Sequence, residues 1–466
     1  MITFQKNYPT RMTKELTSVP LLGICICLLL IYSMISCTAE RPPHLPPPAP
    51  ELSPRNLYLD GIHFSGLGTS ELVTKWNTAA EQALLDSTEI SMPFQEIGYM
   101  DGQRPKAFAY RMALRAGERV DISLQSTVKD KLFFLELFKM EEENGVQTNA
   151  QAVLYAEPHQ VDSIAFEAIE GGTYLLRLQG ELLVSTRFTL LIKTQPTYGV
   201  FPVSGKGNSA IWSFFGDPRD GGRRKHKGVD IFARRGTPVV AAMDGTVRSV
   251  RDRGLGGKQV WLRDNKRSQS LYYAHLDSQL VAEGASVKAG DTLGWVGNTG
   301  NAKNTAPHLH FSIYKRGWGA IDPYPFIARQ KSKPPRIRVD TTLIGQLVRT
   351  KAISSTLRSA PSTRSSALLS LTPHLPLEVL AATQSWLRVA TPDGYTGYLS
   401  RSSIELLTRP LQTLQLEVAK EVWTGVTDEA TPFAALPARA EVEVLGNSQG
   451  FALIKTIAGL EGWVAH

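Results

Sequence analysis

The chain has 466 residues, 42% of them hydrophobic and 20% charged, and a formal net charge of +8. That length exceeds a single ordinary core and implies roughly three or four domains, while the composition excludes a disordered polymer. The excess of cations favours anionic surfaces, but no helix-turn-helix, zinc-finger or RNA-binding pattern is present, so nucleic acid is not an expected partner.

In chain order, the first feature is the N-terminal segment. Lys14 is followed within a few residues by the apolar run LLGICICLLLIYSMI and then by Ser36 and Cys37. The run is shorter than the roughly 20 residues of a spanning helix, and 1–36 reads as a secretory signal peptide, with an uncleaved anchor helix as the alternative. MISC resembles a bacterial lipoprotein signal, which implies lipidation of Cys37. The membrane is then a partner through that residue, and the rest of the chain faces the periplasm or the cell exterior. Cys25, Cys27 and Cys37 are the three cysteines, so no disulfide framework holds the body of the protein.

Residues 37–55 form a proline-rich linker, with seven prolines between Arg41 and Pro54. The 56–91 segment is helical or irregular. Within it Leu72, Trp76, Ala79, Ala83 and Leu84 follow a helical period behind Ser70. From 92 to 195 the pattern turns to alternating strands such as AFAYRMAL, LFFLELF and RFTLLIKT, which predict a β-sandwich. The segment 196–330 is again strand-rich, punctuated by turns such as GDPRDGG and EGASVKAGD, with no helical period of useful length. A linker at 331–340 leads to two short all-β units, 341–407 and 412–466. Each closes on a Gly-aromatic pair, Gly397 with Tyr398 and Gly462 with Trp463. The expected fold class is mainly β and multidomain.

Four of the nine histidines, His226, His275, His308 and His310, fall between 226 and 310, where random placement would put about one or two. In PHLHF a strand's period of two sends His308 and His310 to one face and Leu309 and Phe311 to the other. In HKGVD the even spacing of His226 and Asp230 predicts a shared strand face, with Val229 and Ile231 turned to the core. Imidazoles and a carboxylate on apolar-backed strands suit Zn2+, whose catalytic sites keep three protein ligands and an open position. Five candidate groups then leave two for acid-base work. Asp217, Arg219 and Asp220 are candidates to line the same cleft.

HKGVD with the later YAHL and HLHF resembles the lysostaphin/LytM-type zinc metallopeptidases, which cut peptide cross-links in bacterial peptidoglycan. The resemblance runs from Phe201 to Ile327 and includes SFFGDPRD, GTPVVAAMDGTV, VKAGDTLGWVGNTGN and PHLHFSIY. It implies an antiparallel β-sheet domain in which His226, Asp230 and His310 bind zinc. His308 and His275 are the catalytic histidines beside it, with the division of roles between them open. TLRSAPST, SWLRV and GYTGYLS resemble a bacterial SH3-like module, and the later unit looks like a second copy lacking RSAPS. The expected activity is zinc-dependent endopeptidase action on peptidoglycan in the cell envelope. The alternatives are a non-catalytic wall-binding regulator or activator of another murein hydrolase, and a structural envelope lipoprotein whose zinc only stabilises the fold.

Overall fold

Two serines set the starts of the two N-terminal helices. Ser53 Oγ accepts from the Asn56 N–H ahead of Pro54–Phe64, and Ser70 Oγ accepts from the Val73 N–H ahead of Glu71–Leu85. The computed structural model describes residues 53–466 apart from 129–130, 144–145, 156–163, 330–332 and 352. The signal segment, Cys37 and nearly all of the proline-rich linker lie outside the described residues. Among the described residues no helix is long and apolar enough to cross a membrane.

The first helix begins inside the stretch read as linker, because Ser53-Pro54 is an N-cap followed by a proline at the first helical position. The second helix buries Val73, Trp76, Ala80 and Ala83, leaving Leu72, Ala79 and Leu84 half-buried, so its core stripe is rotated from the expected one. Trp76 fixes that face by donating its indole N–H to the Gly180 carbonyl at 2.8 Å, while the Arg55 guanidinium covers its ring.

The predicted sandwich is two sheets. One orders the strands Thr88–Glu89, Ala107–Leu114, Gly172–Gly180, Phe133–Glu143 and Val146–Tyr155. The other contains Phe94–Met100, Thr186–Pro196, Glu118–Ser126 and Ile164–Glu167. Alternation does the sorting: Phe188, Leu190 and Ile192 point inward with Val120, Ile122 and Leu124.

That second sheet does not end with the sandwich. Phe94–Met100 pairs with Pro376–Thr383, placing Ile97 opposite Ala382 and Gly98 opposite Ala381. The sandwich and the first C-terminal unit therefore share one 11-stranded sheet. Behind the junction Glu96 is fully buried and accepts from the Tyr110 and Tyr398 hydroxyls, each at 2.6 Å. The buried Arg388 lies 3.8 Å from Glu96 and stacks over Phe108, Tyr110 and Tyr398. Burial and the Glu96 carboxylate push both phenols well above their ordinary values. Ile337 and Val339 pack into the same unit, so the linker reading of 331–340 is too long at its C-terminal end.

The two C-terminal units repeat one pairing scheme. Ser355–Arg358 pairs with Ala367–Leu371 and Thr396–Ser400, as Lys420–Trp423 pairs with Pro432–Leu436 and Glu461–Ala465. The closing glycines are required by contact: a Cβ on Gly397 would meet Leu357 at 2.7 Å, and on Gly462 would meet Val422 at 2.4 Å. The units touch through Arg349, which donates to the Leu445 carbonyl at 2.7 Å.

The region between the sandwich and the first C-terminal unit in sequence is built on the antiparallel order Ile211–Ser213, Val229–Phe232, His308–Lys315, Gln269–Gln279, Lys258–Asp264, Gly245–Asp252 and Ser286–Val287. Its core includes Val229, Ile231, Leu309 and Phe311, all fully buried. Tyr198 and Phe326 tie it to the sandwich, where the Phe326 ring fills the space beside Gly117 and Arg267 pairs with Glu167 at 2.7 Å.

Arg388 is the only cation within 4 Å of the Glu96 carboxylate among the described residues. Removing one partner of a buried ion pair costs about 3 to 5 kcal/mol, and replacing both costs less. Arg388→Met is expected to lower unfolding free energy by about that amount in urea titration, and Glu96→Gln combined with Arg388→Met to lose less. A loss below about 1 kcal/mol for the single variant would refute a counter-charge role for Arg388.

Candidate metal centre

Strand register brings the candidate residues together. Val229–Phe232 and His308–Lys315 run antiparallel with Asp230 opposite His310 and Phe232 opposite His308, and Ala274 flanks His310 on the other side. His308 and His310 share one face, as their spacing requires, over the buried Leu309 and Phe311.

His226 arrives differently from the expectation. The strand begins only at Val229, and His226 lies before it, bonded through its own backbone to Asp217 and Gly216. Gly228 makes the approach possible, because a Cβ there would stand 2.4 Å from Ser312 Oγ and 2.5 Å from the Phe311 carbonyl. The result is still convergence: His226 Nε2 to His310 Nδ1 is 3.0 Å, His310 Nδ1 to Asp230 Oδ1 is 2.9 Å, and His226 Nε2 to Asp230 Oδ1 is 3.1 Å.

Hydrogen bonds behind each ring decide what it offers. His226 Nδ1 is 2.8 Å from the Phe214 carbonyl, which can only accept, so Nδ1 carries the proton. Ser312 Oγ donates to the Lys227 carbonyl at 2.6 Å and must therefore accept from His310 Nε2 at 2.8 Å. Both imidazoles thus turn lone pairs toward Asp230 Oδ1. Arg219 takes the second oxygen of Asp230 at 2.7 Å, leaving Oδ1 for the centre. Three acceptors, on the buried His226 and Asp230 and the half-buried His310, face one another with no proton between them, and a cation is what such a set fits. Ligand atoms about 2.0 to 2.2 Å from a tetrahedral metal stand about 3.3 to 3.6 Å apart, a few tenths of an ångström wider than the separations here.

His308 and His275 stand beside this set. His308 Nδ1 donates to the Ala306 carbonyl at 2.8 Å, and its Nε2 lies 3.9 Å from Asp230 Oδ1. His275 Nδ1 donates to the Thr299 carbonyl at 2.8 Å, and the two rings are 5.2 Å apart. Burial and the neighbouring imidazoles of His310 and His308 bring His275 down from its ordinary value to about 4, so it is neutral at neutral pH. Its backbone has φ of +63°, at an irregularity where Ala274 and His275 lie against a single residue, Gln259, of the neighbouring strand. By alternation His275 would follow the core-facing Tyr273, and the left-handed residue is what turns its ring into the cleft.

The cleft has a volume of about 970 Å³ and is lined by residues between Trp212 and Tyr314. Arg219 and Asp220 line it as expected, whereas Asp217 accepts from Ser213 Oγ and the Phe214 N–H and does not. Sequence reasoning missed Ser312, although it follows His308 and His310 at the same period. It also missed Phe232, whose ring lies 5.0 Å from His308 and is stacked at 4.8 Å by the exposed Trp212.

Residues 224–323 match Peptidase family M23, and residues 354–405 match the bacterial SH3 domain. The L-Ala--D-Glu endopeptidase of Bacillus subtilis is 35% identical over 138 residues, covering 27% of this chain and 42% of that protein. Lysostaphin of Staphylococcus simulans is 40% identical over 106 residues, 22% of this chain and 21% of its own length. An uncharacterized lipoprotein of Escherichia coli, YgeR, is 40% identical over 115 residues, 25% of this chain and 43% of that protein. The chain thus spans less than half the length of each of these relatives. The solved catalytic domain of lysostaphin from Staphylococcus simulans is 37% identical over 24% of this chain and 88% of that chain, with a TM-score of 0.23.

Ser312 orients His310 without touching the centre. Outer hydrogen bonds of this kind change metal affinity by about 10- to 100-fold. Ser312→Ala is expected to weaken divalent-metal binding by that factor in a chelator competition titration, with the fold retained by circular dichroism.

Proposed function

We propose that this chain, which carries a peptidase family M23 domain followed by a bacterial SH3 domain, is a zinc-dependent endopeptidase that hydrolyses peptide bonds of bacterial peptidoglycan. The observation that carries the reading is the convergence of His226, Asp230 and His310 with lone pairs inward, beside two further imidazoles in one open cleft. Two imidazoles and a carboxylate are a ligand set that suits zinc. Zinc held there would supply a water of lowered pKa and a Lewis acid for the scissile carbonyl.

The chain's own residues move the proton. His308 and His275 both give their Nδ1 protons to backbone carbonyls, so each keeps Nε2 as a base. His308 Nε2, 3.9 Å from the ligand carboxylate, is placed to accept the proton of the attacking water and return it to the leaving amine. His275, held neutral, keeps its Nε2 lone pair as a second acceptor beside it. Phe232 and Trp212 brace His308 from the outer side. A regulator that only binds peptidoglycan needs none of this second pair.

The C-terminal units fit a role in holding the enzyme on the wall, and the basic balance of the chain suits an anionic envelope polymer. Export and anchoring through Cys37 complete the reading, placing the enzyme in the cell envelope.

Three measurements test it. Murein zymography of the purified chain is expected to show clearing that a chelator abolishes and added zinc restores, and no clearing under any condition would overturn the assignment. His226→Ala and His310→Ala are expected to lose metal and turnover together. His308→Ala is expected to keep its metal while turnover falls by about 10²- to 10⁴-fold.

A further inference from the structure

We propose that the cleft continues into a basic subsite that grips a carboxylate of the bound peptide about four residues from the bond being cut. The inference rests on the peptidase reading above and names the class of substrate: an extended peptide with an acidic side chain or free carboxyl group at that distance.

The geometry comes from the sheet. Tyr314 follows His310 by four residues on one strand, so the two share a face and stand about 13 Å apart at 3.3 Å per residue. Across the ladder Tyr314 is opposite Ser270, and Ser270 is opposite Arg263; one step back, Ser312 is opposite Tyr272, and Tyr272 is opposite Trp261. The face that presents His308 and His310 therefore runs on through Tyr272 and Trp261 to Tyr314 and Arg263. A second cavity of about 720 Å³ lies there, and Trp261 and Tyr314 line both it and the 970 Å³ cleft. A chain extended along one can enter the other.

The charge of this second cavity is one-sided. Arg248, Arg263, Lys315 and Arg316 line it. The acid among its walls, Asp264, is already satisfied by the Tyr198 hydroxyl at 2.9 Å, by Arg267 at 3.0 Å and by the backbone N–H groups of Lys266 and Arg267. Nearby acids are engaged too, Glu167 with Arg267 and Glu170 with Lys139. Lys315 lies over the Trp318 ring, while the guanidinium groups of Arg248, Arg263 and Arg316 meet no acceptor among the described residues. Uncompensated guanidinium groups at the end of an aromatic-walled groove suit a carboxylate, which they bind in bidentate geometry.

The test separates this subsite from the activity. In the full-length chain carrying His308→Ala, which turns its ligand over about 10²- to 10⁴-fold more slowly, soluble peptidoglycan fragments with free carboxylates and the same fragments amidated are titrated by calorimetry. The free-carboxylate form is expected to bind about tenfold more tightly, and Arg263→Glu with Arg316→Glu to abolish that ratio, while Arg263→Lys with Arg316→Lys retains part of it. Equal affinities for the two forms, or a ratio unchanged in the Glu variant, would overturn the proposal. So would inorganic polyphosphate displacing the fragments at lower concentration than they bind, which would make the groove a polymer-phosphate site. Absent clearing in the zymogram with the carboxylate ratio intact would sink the hydrolase reading and leave the subsite standing.

Discussion

Three lone pairs aimed at one point are the constraint on which the rest of the central domain depends. His226 Nε2, His310 Nδ1 and Asp230 Oδ1 lie within 3.1 Å of one another, and hydrogen bonds on their far sides forbid a proton between them. Such an arrangement is repulsive without a cation, so it persists only because a stiff surround imposes it. Two antiparallel strands fix Asp230 opposite His310, Gly228 lets the His226 loop press against Ser312, and Arg219 restrains the outer oxygen of Asp230.

The surround is itself anchored from outside. The metal-centre sheet meets the sandwich through Tyr198, Phe326 and the Arg267–Glu167 pair. The sandwich in turn continues its sheet into the first C-terminal unit across the buried Glu96, Tyr110, Tyr398 and Arg388. A buried carboxylate with two hydroxyl donors and one guanidinium specifies partners more sharply than apolar packing does, since any other registry leaves a charge unpaired. The first SH3-like unit is therefore joined to the sandwich through shared backbone ladders, unlike a unit held by a linker alone. Among the described residues the cleft is lined wholly by the central sheet domain, and neither neighbour contributes to it.

Much of this was legible from residue order alone. The period of two put His308 and His310 on one face over Leu309 and Phe311, and the same rule sorted the sandwich strands. The Gly-aromatic pairs at 397–398 and 462–463 marked a repeat whose pairing scheme recurs in the structure. These are local rules, and strand alternation obeys them wherever the ladder is regular. The rule failed where the ladder is irregular or absent. His226 and Asp230 have even spacing but do not share a strand, and the helix stripe shifted because Trp76 sought the Gly180 carbonyl.

The sequence by itself determined the chemistry available: four histidines within 85 residues, with Asp230 four residues after the first of them and apolar neighbours beside them. What it left open was direction. Alternation from Tyr273 sends His275 into the core, and only the irregularity at Ala274 and His275, with its left-handed backbone, brings that ring back to His308. The joining of Gly98 to Ala381, the role of Ser312 behind His310 and the run of the cleft past Tyr314 to Arg263 were likewise decided by tertiary structure. Each depends on which strand lies beside which, and strand neighbours are set by packing between residues far apart in the chain, which no local period encodes.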